Sequence, residues 1–235
     1  EEIEGQGVTL NLTEKEKSWI KNHPILRVAS EKNWPPFEYM DEQGRYKGIS
    51  VDILKLIGNR VGLQFEPVYD KWSNLLERME KKELDLNPGF NKTPDREKFI
   101  LFTDHWLENP NSIITRKARK DINSFDDLLK ETVAVENNYN LHEHFKEQYP
   151  KLKLLVVKNT LEALRAVSSG KADAYVGAHL SSLYLIKQNL LADLHVVGFF
   201  PLVPQRLYMG VRNDYPMLRD ILQKGLDSIG NPERQ

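Results

Sequence analysis

The sequence predicts an α/β protein of two small lobes, and three observations carry that expectation. Short apolar stretches with a period of two alternate with stretches whose apolar residues recur every three or four positions. The β–α succession restarts after residue 115, so a chain of 235 residues holds two similar sets. Hydrophobic residues make up 40% and charged residues 29%, the balance of a folded chain.

Thr13 followed by Glu16 forms a capping box, which starts a short helix through Trp19 and Ile20; His23-Pro24 ends it. Ile25 to Ala29 reads as a strand, Asp41-Glu42-Gln43-Gly44 as a turn, and Tyr46 opens a short extended piece. Ser50 is expected to cap a helix whose apolar side is Val51, Leu54, Ile57 and Val61. Leu63, Phe65 and Pro67 alternate as a strand. Trp72 to Lys82 reads as a helix carrying Leu75, Leu76 and Met79. Leu84 and Leu86 suggest a short strand that Pro88-Gly89 breaks. Ile100 to Phe102 and Ser112 to Thr115 read as two extended pieces.

In the second set Ser124 is expected to cap a helix, followed by a strand at Thr132 to Val135, a helix at Leu141 to Gln148 and a strand at Leu152 to Val157. Thr160 is expected to cap a helix with Leu161, Leu164 and Val167, closed by Gly170. Ala174 to Val176 reads as a strand, Leu180 to Asn189 as a helix, and Val196 to Phe200 and Leu207 to Val211 as extended. Pro216 suits the first position of a last helix bearing Leu218, Ile221, Leu222 and Leu226. The expected division is a linker and leading helix at 1–24, a first lobe at 25–113 plus 205–235, and a second lobe at 114–204. Crossovers fall near 112–116 and 203–207.

Lys plus Arg is 33 and Asp plus Glu is 34, and that balance argues against a nucleic-acid partner. With no cysteine, disulfides, thiolate catalysis and cysteine metal sites are excluded. No stretch approaches ~18 uninterrupted apolar residues, and no basic-then-apolar leader opens the chain. An export signal, if there is one, is expected upstream of residue 1. His142-Glu143-His144 does not suggest a metal site, because helix residues two apart point to different faces. No cofactor is expected. Asn11-Leu12-Thr13 matches a glycosylation pattern, but Thr13 is read only as a cap.

Three stretches carry a resemblance. The first runs from Leu12 to Phe37, with Trp19, His23-Pro24 and Trp34-Pro35-Pro36-Phe37-Glu38. The second is Gly44-Arg45-Tyr46-Lys47-Gly48-Ile49-Ser50-Val51-Asp52. The third runs from Pro88 to Lys98 and is followed by Phe102-Thr103. Together they resemble solute-binding protein family 3, the amino-acid-type periplasmic binding proteins, from about Ile25 to Ile229. In particular they look like the Venus-flytrap domains of bacterial sensor histidine kinases. The resemblance implies the type II Venus-flytrap fold: two α/β lobes joined by two hinge strands, with a ligand in the cleft between them.

The resemblance also implies the site. Arg96 matches the arginine that grips a ligand carboxylate, and a guanidinium suits that task through two parallel charge-assisted hydrogen bonds. Taken alone it reads as a solvated arginine in a charged run. Gly89 would let the backbone approach the ligand, and Asn91 would offer an amide where the family usually has Thr or Ser. Trp34 and Trp72 match two aromatic platforms, with Phe90 as a further wall; as lone residues they read as core. Glu31 matches an acidic or polar contact after the first strand. Asn138, Tyr139 and Asn140 fall in the loop by which the second lobe approaches the ligand.

One departure is informative. The family's amino-acid binders hold the ligand's α-ammonium with an Asp where this chain has Ala178. An amine buried without a counter-charge is costly. Either Glu31 supplies that charge or the ligand lacks an α-amino group, the reading preferred here, with His179 as a donor to it. The expected function is a periplasmic sensor domain of an inner-membrane two-component kinase, not itself an enzyme. It would close on a small carboxylate such as an amino acid or related organic acid, and homodimerisation is left open. The alternatives are a free binding subunit of an ABC transporter and a cyclohexadienyl dehydratase-like enzyme, for which Glu31 or Glu136 would serve as the acid.

Overall fold

The structure, a computed structural model, describes residues 10–137 and 140–230. Its contacts divide the chain into a first lobe, up to Leu107 and from Arg206 onward, and a second lobe, Glu108–Gln205.

In the first lobe Thr13 caps α1 (Glu14–Asn22) as its spacing predicts. Its hydroxyl accepts from the Glu16 amide at 3.2 Å, and the Glu16 carboxylate accepts from the Thr13 amide at 2.6 Å. Glu16 also pairs with Lys224 at 2.8 Å, and Trp19 meets Tyr215 edge-on at 5.4 Å, so α1 is tied to the end of the lobe. β1 (Ile25–Ser30) is followed by a small antiparallel sheet of β2 (Asn33–Trp34), β3 (Glu38–Met40) and β4 (Tyr46–Lys47). Then come α2 (Ile49–Val61), β5 (Gln64–Tyr69), α3 (Trp72–Glu80) and β6 (Leu86–Phe90). β1 pairs in parallel with β5 on one side and β6 on the other. Two long strands, β7 (Ile100–Arg116) and β11 (Leu194–Arg212), carry the chain out of this lobe and back, and α7 (Pro216–Asp227) ends it. β11 pairs antiparallel with β6. Asp85 binds these strands together. It accepts from the Arg27 amide at 2.8 Å, from the Arg27 guanidinium at 2.9 Å and from Arg212 at 3.2 Å. The core beside α3 is Ala29, Leu75, Met79, Leu84, Phe90 and Ile100.

In the second lobe β7 pairs antiparallel with β10 (Ala174–Ala178). β10 is parallel to β8 (Thr132–Glu136), which is parallel to β9 (Lys153–Val157). α4 (Asn140–Gln148), α5 (Thr160–Ser168) and α6 (His179–Gln188) complete it. Phe145, Val133, Val135 and Val176 fill one side of the sheet; Ala134, Leu164, Val167 and Tyr175 fill the other.

Several local expectations are corrected. Ser50 is not a cap: α2 starts at Ile49 behind Gly48, whose φ of 134° and close approach to the Phe37 carbonyl leave no room for a side chain. Thr160 is not a cap either. Asn159 takes the Glu162 amide at 2.9 Å, while the Thr160 hydroxyl reaches Glu136 at 2.7 Å. Ser124 precedes only a short 3-10 helix, Asp126–Lys130, because Asp127 captures its amide and hydroxyl. Pro88-Gly89 does not end a strand. β6 runs through it because the pairing with β11 shifts register between Tyr208 and Gly210, and the Pro88 carbonyl accepts from the Trp106 indole at 2.8 Å. The two extended pieces at 100–102 and 112–115 are one strand, whose polar stretch at Asp104-His105 and Glu108-Asn109 interrupts the apolar alternation.

The seam between α2 and α7 gives a test. A methyl group on Gly225 would lie 2.5 Å from Cγ2 of the fully buried Ile57. Gly225→Ala gains about 1 kcal/mol of helix propensity and incurs overpacking of ~1–3 kcal/mol. The expected result in urea unfolding is a net loss of roughly 1 kcal/mol, which disappears in the Ile57→Ala background.

Candidate ligand-binding site

Arg96 follows β6 through a loop in which the Thr93 hydroxyl accepts from its amide at 3.4 Å. The acids beside it are occupied, Asp95 by Lys98 at 2.7 Å and Glu97 by Lys92 at 2.8 Å. Its guanidinium donates to the Asn91 carbonyl at 2.7 Å, which leaves further N–H groups for a ligand. It lies 5.3 Å from the Trp72 ring and 5.7 Å from the Phe90 ring, within cation–π range. Partial burial lowers its pKa, so a bound anion would relieve an existing cost.

Trp72 opens α3, and its ring meets Phe90 edge-on at 5.3 Å. Phe90 is fully buried in the core, so it backs Trp72 instead of presenting a wall of its own. Trp34 packs on Phe37 at 4.7 Å. A Cβ at Gly89 would lie 2.9 Å from the Trp34 ring, 3.4 Å from Glu38 Oε1 and 3.5 Å from Ser50 Oγ. Gly89 is therefore a seat for Trp34, because any side chain there displaces the ring. Asn91 is exposed at the end of the strand. Glu31 is half-buried, and burial raises its carboxyl pKa. With Lys32, Tyr69 and Trp72 it lines a pocket of about 480 Å³ in this lobe. These residues come from the carboxyl ends of parallel strands, where open α/β sheets bind ligands.

Sequence reasoning missed Glu38. It is fully buried; Oε2 accepts from the Tyr46 hydroxyl at 2.7 Å and the Glu31 amide at 3.1 Å. Burial pushes its carboxyl up to about 7 against the pull of those hydrogen bonds, and Glu31 nearby adds to the rise. An acid set between Phe37 and Tyr39 in an aromatic hairpin was the available signal.

In the second lobe Glu136 ends β8 and is buried. It accepts from the Tyr175 hydroxyl and the Thr160 hydroxyl, each at 2.7 Å. The Tyr175 hydroxyl occupies the space that Gly177 leaves bare. Asn138 and Tyr139 lie outside the described residues. Ala178 ends β10, and Asn109 from β7 satisfies the next helix start by accepting from the Leu180 amide at 3.0 Å. His179 is half-buried, its Nδ1 has no partner among the described residues, and burial lowers its pKa. Among the described residues no group of three or more His, Cys, Asp or Glu is placed to hold a metal, and no helix is long and apolar enough to cross a membrane.

Residues 26–233 match the bacterial extracellular solute-binding proteins, family 3. The chain belongs to that family. It is 32% identical over 94% of its length to the sensor protein EvgS of Escherichia coli K12, and spans 18% of that relative. The crystal structure of the periplasmic VFT2 domain of BvgS from Bordetella pertussis superposes with a TM-score of 0.77 at 27% identity, covering 96% of both chains. An ancestral cationic amino acid solute-binding protein gives 0.78 at 27% identity, covering 91% of this chain and 93% of that one. This family-3 domain thus has the type II Venus-flytrap fold and is similar to both sensor and amino-acid-binding domains.

Glu38 gives a pH signature. Its folded pKa of about 7 lies above the ordinary 4.5, so the folded state holds the proton more tightly. The stability this confers is complete below pH 4.5 and is lost as pH rises through 7, in all about 3 kcal/mol. Urea unfolding should show the wild type losing roughly that amount relative to Glu38→Gln between pH 5 and 8. Parallel profiles would show that Glu38 titrates normally.

Proposed function

We propose that this family-3 domain is the periplasmic sensor of a larger, membrane-tethered histidine kinase. It binds a small carboxylate-bearing solute without reacting with it. Arg96 carries the reading: a partly buried guanidinium on an aromatic bed, with its neighbouring acids already paired to lysines. Such a group favours a planar anion with an apolar body, the carboxylate on Arg96 and the body against Trp72. Similarity to EvgS and BvgS supports the sensing role.

Ala178 and the unpartnered Nδ1 of His179 favour a solute without an α-amino group. Similarity to a cationic amino acid-binding protein supports a second reading, an amino acid whose amine is met by Glu31. Glu136, one candidate acid for a dehydratase, is engaged by Tyr175 and Thr160, which speaks against catalysis.

Calorimetry against amino acids and their deaminated analogues tests this. The expected result is tighter binding of the deaminated acids. Arg96→Ala should weaken binding ~10–100-fold, the loss of a charge-assisted hydrogen-bond pair, and Arg96→Lys should weaken it less. Equal or better binding of amino acids favours the second reading. Unchanged binding in Arg96→Ala removes Arg96 from the site.

A further inference from the structure

The two oxygens of the Glu38 carboxyl stand in different environments. Oε2 holds the Glu31 amide and the Tyr46 hydroxyl. Oε1 is buried with no hydrogen-bond partner among the described residues, and the same is true of Ser50 Oγ. Both converge with the Trp34 ring on the space that Gly89 leaves bare. One carboxyl group therefore touches the main chain of Glu31, whose side chain lines the pocket, and abuts the seat of Trp34.

The titratable groups facing Glu38 are few. Glu31 comes from the end of β1 and Tyr46 from β4. Behind Tyr46 lies Tyr69 of β5, edge-on at 5.3 Å, with Lys32 5.0 Å from the Tyr69 ring. α2 contributes the neutral Ser50 and β6 the neutral Gly89 and Asn87, whose side chain favours the ionised form. A proton on Oε1 leaves a neutral group facing a serine hydroxyl. An ionised Glu38 places a buried charge beside Glu31, with Oε1 making no hydrogen bond among the described residues. That charge strains the Gly89–Trp34 contact and opposes an anion arriving at the same lobe.

We infer that Glu38 is the positioning residue of the first-lobe binding face, and that its protonation sets the affinity of that face for carboxylates. The affinity half rests on the reading of Arg96 as the carboxylate site. A neutral Glu38 leaves the Trp34 seat undisturbed and permits anion binding; ionisation draws the Glu31 amide and the Tyr46 hydroxyl closer to Oε2, disturbs the Trp34 seat and opposes the anion. The near-neutral titration of the carboxyl puts the change within the range of ordinary buffers.

Nuclear magnetic resonance of the ligand-free protein from pH 5 to 8 tests the positioning half. The Glu31 amide and the Trp34 indole signals should move together with a near-neutral midpoint, and Glu38→Gln should flatten both. Glu31→Gln should shift the midpoint downward without removing it. Acetate, followed at the Arg96 Nε signal, tests the affinity half. Its dissociation constant should rise several-fold from pH 6 to 8 in the wild type and stay constant in Glu38→Gln. A Trp34 signal that titrates equally in Glu38→Gln overturns the positioning role. A pH-independent acetate affinity in a protein whose Glu31 amide does titrate overturns the affinity half alone. Titrating signals with no acetate response at Arg96 sink the Arg96 reading and the affinity half with it, while the positioning role stands.

Discussion

β1 pairs in parallel with β5 on one side and β6 on the other, and the first lobe's binding face depends on that pairing. Parallel neighbours end on the same edge of a sheet. The segments after them, Glu31 to Trp34, Asp70 to Trp72 and Asn91 to Arg96, are therefore gathered although they lie far apart in sequence. Asp85 reinforces the arrangement by taking both the main chain and the side chain of Arg27.

Within that face Gly89 has a second role besides close backbone approach to a ligand. Its missing side chain is the place where Trp34, Glu38 and Ser50 meet. The second lobe repeats the device at Gly177, whose bare position admits the Tyr175 hydroxyl on its way to Glu136. In each lobe a glycine near a strand's carboxyl end lets an aromatic side chain lie where a Cβ would block it. In each lobe a buried carboxyl group stands beside that aromatic. The two acids differ in consequence. Glu136 accepts from side-chain hydroxyls on neighbouring elements, whereas one oxygen of Glu38 makes no hydrogen bond among the described residues.

The helix periodicities, the capping box at Thr13 and the alternation of strands and helices were legible in the sequence because each rests on residues within one turn or one pleat of each other. So was the motif that places Arg96 a few residues after Gly89-Phe90-Asn91. The failures have a common origin. Ser50 and Thr160 carry the right chemistry to cap, yet a glycine held against Phe37 and an asparagine one residue earlier take the role. Pro88 reads as a strand breaker because its need for no amide partner is met only by a register shift in β11, more than a hundred residues away.

The sequence by itself determined the fold class, the family and the identity of the cationic and aromatic candidates, since these follow from local patterning and ordered motifs. Only the tertiary structure decided their environments. It put Phe90 beneath Trp72, paired the acids beside Arg96 with lysines, and buried Glu38 against Tyr46 with one oxygen unmatched among the described residues. Burial and hydrogen-bond partners are properties of what long-range packing brings alongside a residue, and no window of sequence around Glu38 contains Gly89.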